Sequence, residues 1–109
     1  MNVQLKRVRT ARSFWQKFLG LMFKEAKEVD YALVFPLHVS SRFGASIHML
    51  FMKFPIDVFW LDAGKKVVDV RKNVRPWTLN VSPRKSAHYI VEVKCGKVRA
   101  KIGDSMDWK

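Results

Sequence analysis

Apolar and polar positions alternate in several segments of this chain with the period of two that strands require. Val3 and Leu5 alternate against polar neighbours and predict an opening strand over 2–9. One segment follows helical spacing instead. Ser13 and Gln16 fit a Ser-x-x-Gln capping box, and Phe14, Trp15, Phe18 and Leu19 fall on one face, with Gly20 suited to closing the helix. Leu21-Met22-Phe23 carries the chain back to the core, and the polar stretch 24–30 passes over the surface.

Strand signals dominate from there. Tyr31 to Phe35 predicts a strand ended by Pro36, with 37–40 as a short second piece and 41–44 as a loop. Ile47 to Lys53 and Ile56 to Leu61 are apolar on both faces, as central strands are, with Pro55 between them. Asp62-Ala63-Gly64-Lys65 reads as a hairpin turn with Gly64 available for positive φ, and Val67 to Val74 as the returning strand. Residues 75–86, with two prolines, form a long loop. Tyr89, Val91, Val93 and Cys95 alternate as an inward face, which turns Glu92 and Lys94 outward. Val98 to Ile102 fits one helical turn, and Gly103-Asp104 leads into an end piece carrying Met106 and Trp108. The fold class expected is α+β: one compact, mostly antiparallel β domain over residues 1–109 with one or two short helices. Whether it is barrel-like is left open by the spacing.

Composition narrows the class. A chain of 109 residues that is 49% hydrophobic has room for one real core and too little length for two ordinary domains. No apolar run reaches membrane-spanning length, no apolar stretch follows Met1, and the lone Cys95 has no internal disulfide partner. A cytoplasmic protein without a membrane partner is expected.

The net charge of +12 is unevenly placed. Residues 1–12 hold Lys6, Arg7, Arg9 and Arg12 with no acid, and 65–101 hold eleven bases against Asp69 and Glu92, while 13–64 are neutral. Side by side, the two segments would make one basic face for nucleic acid or another anionic partner; otherwise they are a solvated surface. Lys6, Arg7, Arg9, Arg71, Lys72 and Arg75 are the candidates for such binding.

Motifs for chemistry are sparse. His38, His48 and His88 are far apart with no Cys-x-x-Cys, so no metal or cofactor is expected; a site would need single residues such as His48 with Asp57 or Cys95. Lys94 and Lys97 would favour a Cys95 thiolate, but the alternation buries it as a small hydrophobe. Phosphate-binding loops and a Gly-x-Ser-x-Gly elbow are absent. Asp57, inside the most apolar stretch, reads as a carboxylate capping backbone amides at the Pro55 kink, or else as a general acid or base. Glu92 reads as the cross-strand partner of a lysine or arginine. Trp15 and Trp60 read as core. Trp77, in a basic polar loop beside Arg75, either closes a barrel end or stacks on a base or sugar.

Several segments in order carry a family resemblance: Gly20 to Phe23, Phe51 to Asp62, Val74 to Trp77, Ala87 to Val93, and Gly96 with Gly103-Asp104. Together they resemble the small prokaryotic proteins grouped as domain of unknown function 192, or uncharacterised protein family 0127, in its short archaeal form. The resemblance implies a β-rich domain and supplies no catalytic assignments. Lys94-Cys95 stands where the family often has Pro-Ala, which counts against Cys95 as a nucleophile. Met52, Asp57, Trp77, Glu92 and Asp104 fall on pattern positions and are the candidate ligand site. The expected function is a non-enzymatic binding or accessory domain of unknown ligand. The alternatives are sequence-independent nucleic-acid binding through a basic face, and a small enzyme on an anionic substrate with Asp57 or Glu92 as acid/base.

Overall fold

The computed structural model describes residues 1–11, 21–41, 47, 49, 51–78 and 80–108, with backbone alone for 38–41. The expected helix over 13–19, the loop from 42, Arg12, Trp15 and His48 lie outside these residues.

Among the described residues, seven strands form two sheets. The larger sheet is built from β2 (Val8–Thr10), β3 (Ala32–Ser41), β4 (Ile56–Leu61), β5 (Val67–Val74) and β6 (Ala87–Lys94), in the order β2-β3-β6-β4-β5. Its pairings are antiparallel except for β2 alongside β3. A parallel two-stranded ribbon joins β1 (Asn2–Gln4) to β7 (Ser105–Asp107). That ribbon meets the β5 side through the Lys66–Ser105 bridge, while the chain leaving β1 runs on to β2 at the opposite edge. The ladder does not close into a barrel among the described residues.

Both faces of the large sheet are covered. Ile56, Val58 and Trp60 of β4, Leu33 and Phe35 of β3 and Ile90 of β6 face one cluster, roofed by Leu21, Val29, Met49, Met52, Phe54 and Val81 from the loops. Phe59, Leu61, Val34, Val91 and Val93 face the other, closed by Leu5, Val67 and Met106. All six residues of β4 are therefore buried, which is why that strand reads as a continuous apolar run. Phe59 and Trp60 are fully enclosed, and truncating either to alanine costs about 3–5 kcal/mol.

Several local expectations need correction. The opening strand is two, β1 and β2, separated by a bend at Lys6-Arg7. Pro36 does not end β3, because β2 pairs only as far as Val34 and leaves that edge of Pro36 without a β2 partner. None of the described residues in the 47–53 run belongs to a strand. Ile47 makes one bridge to Val81, Phe51 to Phe54 turn, and Ile47, Met49, Met52 and Phe54 are apolar because they pack in the first cluster. In the hairpin, Lys65 rather than Gly64 takes the left-handed conformation (φ 65°), while the Asp62 carboxylate accepts from the Gly64 and Lys66 amides. The polar stretch contains a 3-10 turn, Ala26–Glu28, capped reciprocally by Glu25 and Glu28. Residues 98–102 are not helical.

Candidate functional site

The five pattern residues do not converge. Met52 is core. Asp57 lies beside Phe59 and Leu61 on the second face of the sheet, whereas Glu92 shares the first face with Ile90. Asp104 sits at the start of β7, and Trp77 is on the surface.

Three buried aspartates each tie down an irregularity of the backbone. β4 and β5 slip register between Ile56 and Val58, and the extra residues include Asn73 at φ 54°. Asp57, 3% exposed, accepts from the Asn73 amide at 2.9 Å and from the Gly96 amide at 3.0 Å, with Lys72 Nζ at 3.7 Å. It does cap backbone amides, though of the bulge and the turn after β6, not of the Pro55 kink. Asp69 occupies a second slip, opposite Trp60, and accepts from the Arg84 amide at 2.8 Å and the Arg84 guanidinium at 2.9 Å. Burial pushes its pKa up, but the hydrogen bonds from Arg84 and Val70 outweigh this and leave it lowered. Asp104 accepts from the Lys101 amide at 3.0 Å, which lowers its pKa.

Glu92 is the exception. Its ladder neighbours on either side are Leu33 and Val58, and it forms no ion pair among the described residues. Burial alone pushes its pKa up to about 8, so it is predominantly a neutral acid at pH 7. The outward, ion-paired Glu92 expected from the alternation is thus corrected: alternation marks one face as solvent only when that face is uncovered, and here it is not.

Cys95 also differs from expectation. β6 ends at Lys94, and Cys95 is exposed in a turn with Gly96 at φ 79°. Burial around its sulfur and the neighbouring Asp57 carboxylate push the thiol pKa up, against a reactive thiolate. Among the described residues no three of His, Cys, Asp and Glu gather as metal ligands, and no helix is long and apolar enough to cross a membrane.

The basic candidates divide. Arg71 and Lys72 lie on β5, at the opposite end of the strand order from Arg9 on β2. Arg9 rests over the Tyr31 ring at 4.4 Å, and Arg75 is exposed beyond the end of β5. The two basic segments do meet elsewhere. Lys6 and Arg7 from the first and Lys94 and Lys97 from the second line a cleft of about 420 Å³, walled by Val29, Tyr31, Ala32 and Val93. Its one acid, Asp30, is paired with Arg7, and Lys94 Nζ donates to the Ala26 carbonyl. Lys6 and Lys97 have no carboxylate partner among the described residues. Charge counting along the chain gives no signal that Lys94 and Lys97, rather than the expected Arg71 and Lys72, are the ones to meet Lys6.

A second surface feature brings together three rings from distant segments. Phe23, Phe51 and Trp77 are 58%, 43% and 56% exposed. Phe23 stacks on Phe51 at 4.9 Å between centroids, and Phe51 meets Trp77 edge-on at 4.9 Å. All three have left-handed backbone, φ 64°, 59° and 69°. Main-chain hydrogen bonds hold them there: the Phe23 amide donates to the Phe51 carbonyl and the Trp77 amide to the Met49 carbonyl. Only Trp77 stood out in the sequence, by its polar loop.

Comparison with known proteins places this geometry in context. The chain is 45% identical over 106 residues to a UPF0127 protein of Thermococcus sibiricus, covering 94% of this chain and 66% of the relative. It is 41% identical to one from Pyrococcus furiosus, covering 93% and 85%. The chain thus spans slightly under two thirds of the length of the Thermococcus sibiricus relative. Two crystal structures share the fold. One is a protein of unknown function from Novosphingobium aromaticivorans (TM-score 0.73, 18% identity, 82% of this chain and 63% of that one). The other is described as a putative transcription regulator from Sinorhizobium meliloti (TM-score 0.74, 19% identity, 82% and 68%). The family model described as Uncharacterized ACR matches residues 2–108, and the chain belongs to that family, DUF192.

Proposed function

We propose that this protein is a non-enzymatic binding domain whose cleft takes a small, multiply charged anion. The observation that supports this is the meeting of Lys6, Arg7, Lys94 and Lys97 around one cleft with a single, already paired acid. A volume of about 420 Å³ falls within the range of small-ligand sites, and the apolar walls of Val29, Ala32 and Val93 lower the local dielectric around the cations. Three of the four buried carboxylates accept from backbone amides and so have a structural role at turns and bulges.

Calorimetric titration with inorganic tripolyphosphate tests the reading. Binding that weakens as salt rises, and falls about tenfold in Lys97→Glu, is the expected result. Unchanged binding in Lys97→Glu rejects the cleft as the site.

One observation favours a second reading, an enzyme with Glu92 as general acid. A buried carboxyl with a pKa near 8 has the protonation state such a role needs. Against it, Glu92 lies between Leu33 and Val58 in the interior of the sheet. A turnover abolished by Glu92→Gln, in a variant that folds, would replace the binding reading with this one.

A further inference from the structure

We propose that Phe23, Phe51 and Trp77 form a stacking platform for the bases of single-stranded nucleic acid. Large exposed rings are costly on a soluble surface, and three in mutual contact form a patch that calls for a partner. Each ring also sits on a residue in the left-handed region, a conformation non-glycine residues keep only where the surrounding structure imposes it. Here the Phe23–Phe51 and Trp77–Met49 main-chain hydrogen bonds impose it, and buried Leu21, Met49 and Met52 anchor the same segments below. The rings are therefore presented in fixed positions, which cuts the entropy lost when a ligand stacks on them.

Charge complementarity selects the occupant. The protein carries +12, and the 24–30 segment, which joins Phe23 to the basic cleft, sets their separation at ~25 Å or less, a span a short single strand can bridge. Aromatic faces together with a cationic groove are the combination that single strands use, with bases on rings and phosphates on Lys and Arg. The loop that carries Trp77 includes Arg75, Thr78, Asn80 and Ser82, and these polar groups suit a wet nucleic-acid contact better than insertion among lipid tails. The phosphate contacts rest on the cleft reading above; the platform itself does not.

Fluorescence anisotropy separates the two. Labelled dT and rU strands of about 12 nucleotides are compared with an abasic strand of equal length, which keeps the phosphates and removes the bases. The platform predicts that the strands with bases bind at least about tenfold tighter than the abasic one. It also predicts that Trp77→Ala and Phe23→Ala remove that advantage, that Trp77→Phe keeps most of it, and that abasic binding is untouched. The dT and rU arms show whether DNA or RNA is preferred. Equal binding of base-bearing and abasic strands, or a base advantage that survives Trp77→Ala, overturns the platform. So does Trp77-dependent binding to phosphatidylserine vesicles in the absence of any base advantage. A base advantage that depends on Trp77 while Lys97→Glu changes no affinity keeps the platform and rejects the cleft.

Discussion

Glu92 stands directly opposite Val58 in the antiparallel β4–β6 ladder and opposite Leu33 in the β3–β6 ladder, so a carboxyl sits between two aliphatic residues of the neighbouring strands. Burial without a cation raises its pKa to about 8, and that shift links folding to pH. The folded pKa lies above the ordinary value, so between the two the folded chain holds a proton that the unfolded chain has released. Stability is then fully present below about pH 4.5, declines with rising pH, and levels off above about 8. The decline approaches about 1.4 kcal/mol per pH unit at most. Glu92→Gln should flatten this limb, seen as denaturant midpoints that no longer fall between pH 5 and 8; a wild-type profile already flat there would refute the assignment. Asp69 acts at the acid end with the opposite sign. Its lowered pKa gives stability that is present at neutral pH and lost as pH falls below the ordinary carboxylate range.

Asp57 accepts two backbone amides through its two carboxylate oxygens. An asparagine there offers one oxygen and one NH2, so either the Asn73 or the Gly96 amide loses its acceptor. Asp57→Asn should cost about 1–3 kcal/mol, the penalty of a buried donor left unpaired. Urea denaturation measures this. A change below about 0.5 kcal/mol would show that the bulge and the Gly96 turn do not depend on the carboxylate.

Trp77 keeps a left-handed backbone at φ 69° while its side chain is mostly exposed. Alanine and glycine at this position both remove the ring, but only glycine adopts the conformation without strain. Trp77→Gly should therefore be more stable than Trp77→Ala by about 1 kcal/mol. The comparison is made by thermal melting, and equal stabilities would mean that the loop relaxes when the ring is removed.

Elements marked by their own local pattern are legible in the sequence. The hairpin of β4 and β5 and the β6 strand follow from runs of β-branched and aromatic residues bounded by turn chemistry. Glu92 and Cys95 were misplaced by one assumption, that the alternation along β6 divides core from solvent. In the fold, loops cover one face and β1, β7 and the C-terminal segment the other, so both parities of β6 are interior, and the strand stops one residue before Cys95. The aromatic cluster and the basic cleft are non-local in a stronger sense. Phe23, Phe51 and Trp77 meet only after three turns are tied together by main-chain hydrogen bonds, and Lys6 meets Lys97 only through the β2–β3–β6 pairing. Neither leaves a spacing along the chain.

The central claim is that two basic segments, far apart in sequence, form a single anion site. Tripolyphosphate titration at about 50 mM salt, with Lys6→Glu, Lys97→Glu and Arg71→Glu measured side by side, tests it most directly. The three variants change the net charge equally, but only Lys6 and Lys97 line the cleft. The account predicts about tenfold weaker binding for Lys6→Glu and for Lys97→Glu, and near wild-type binding for Arg71→Glu. Equal losses in all three would contradict it, because the protein would then be reading charge as a whole and not at a site.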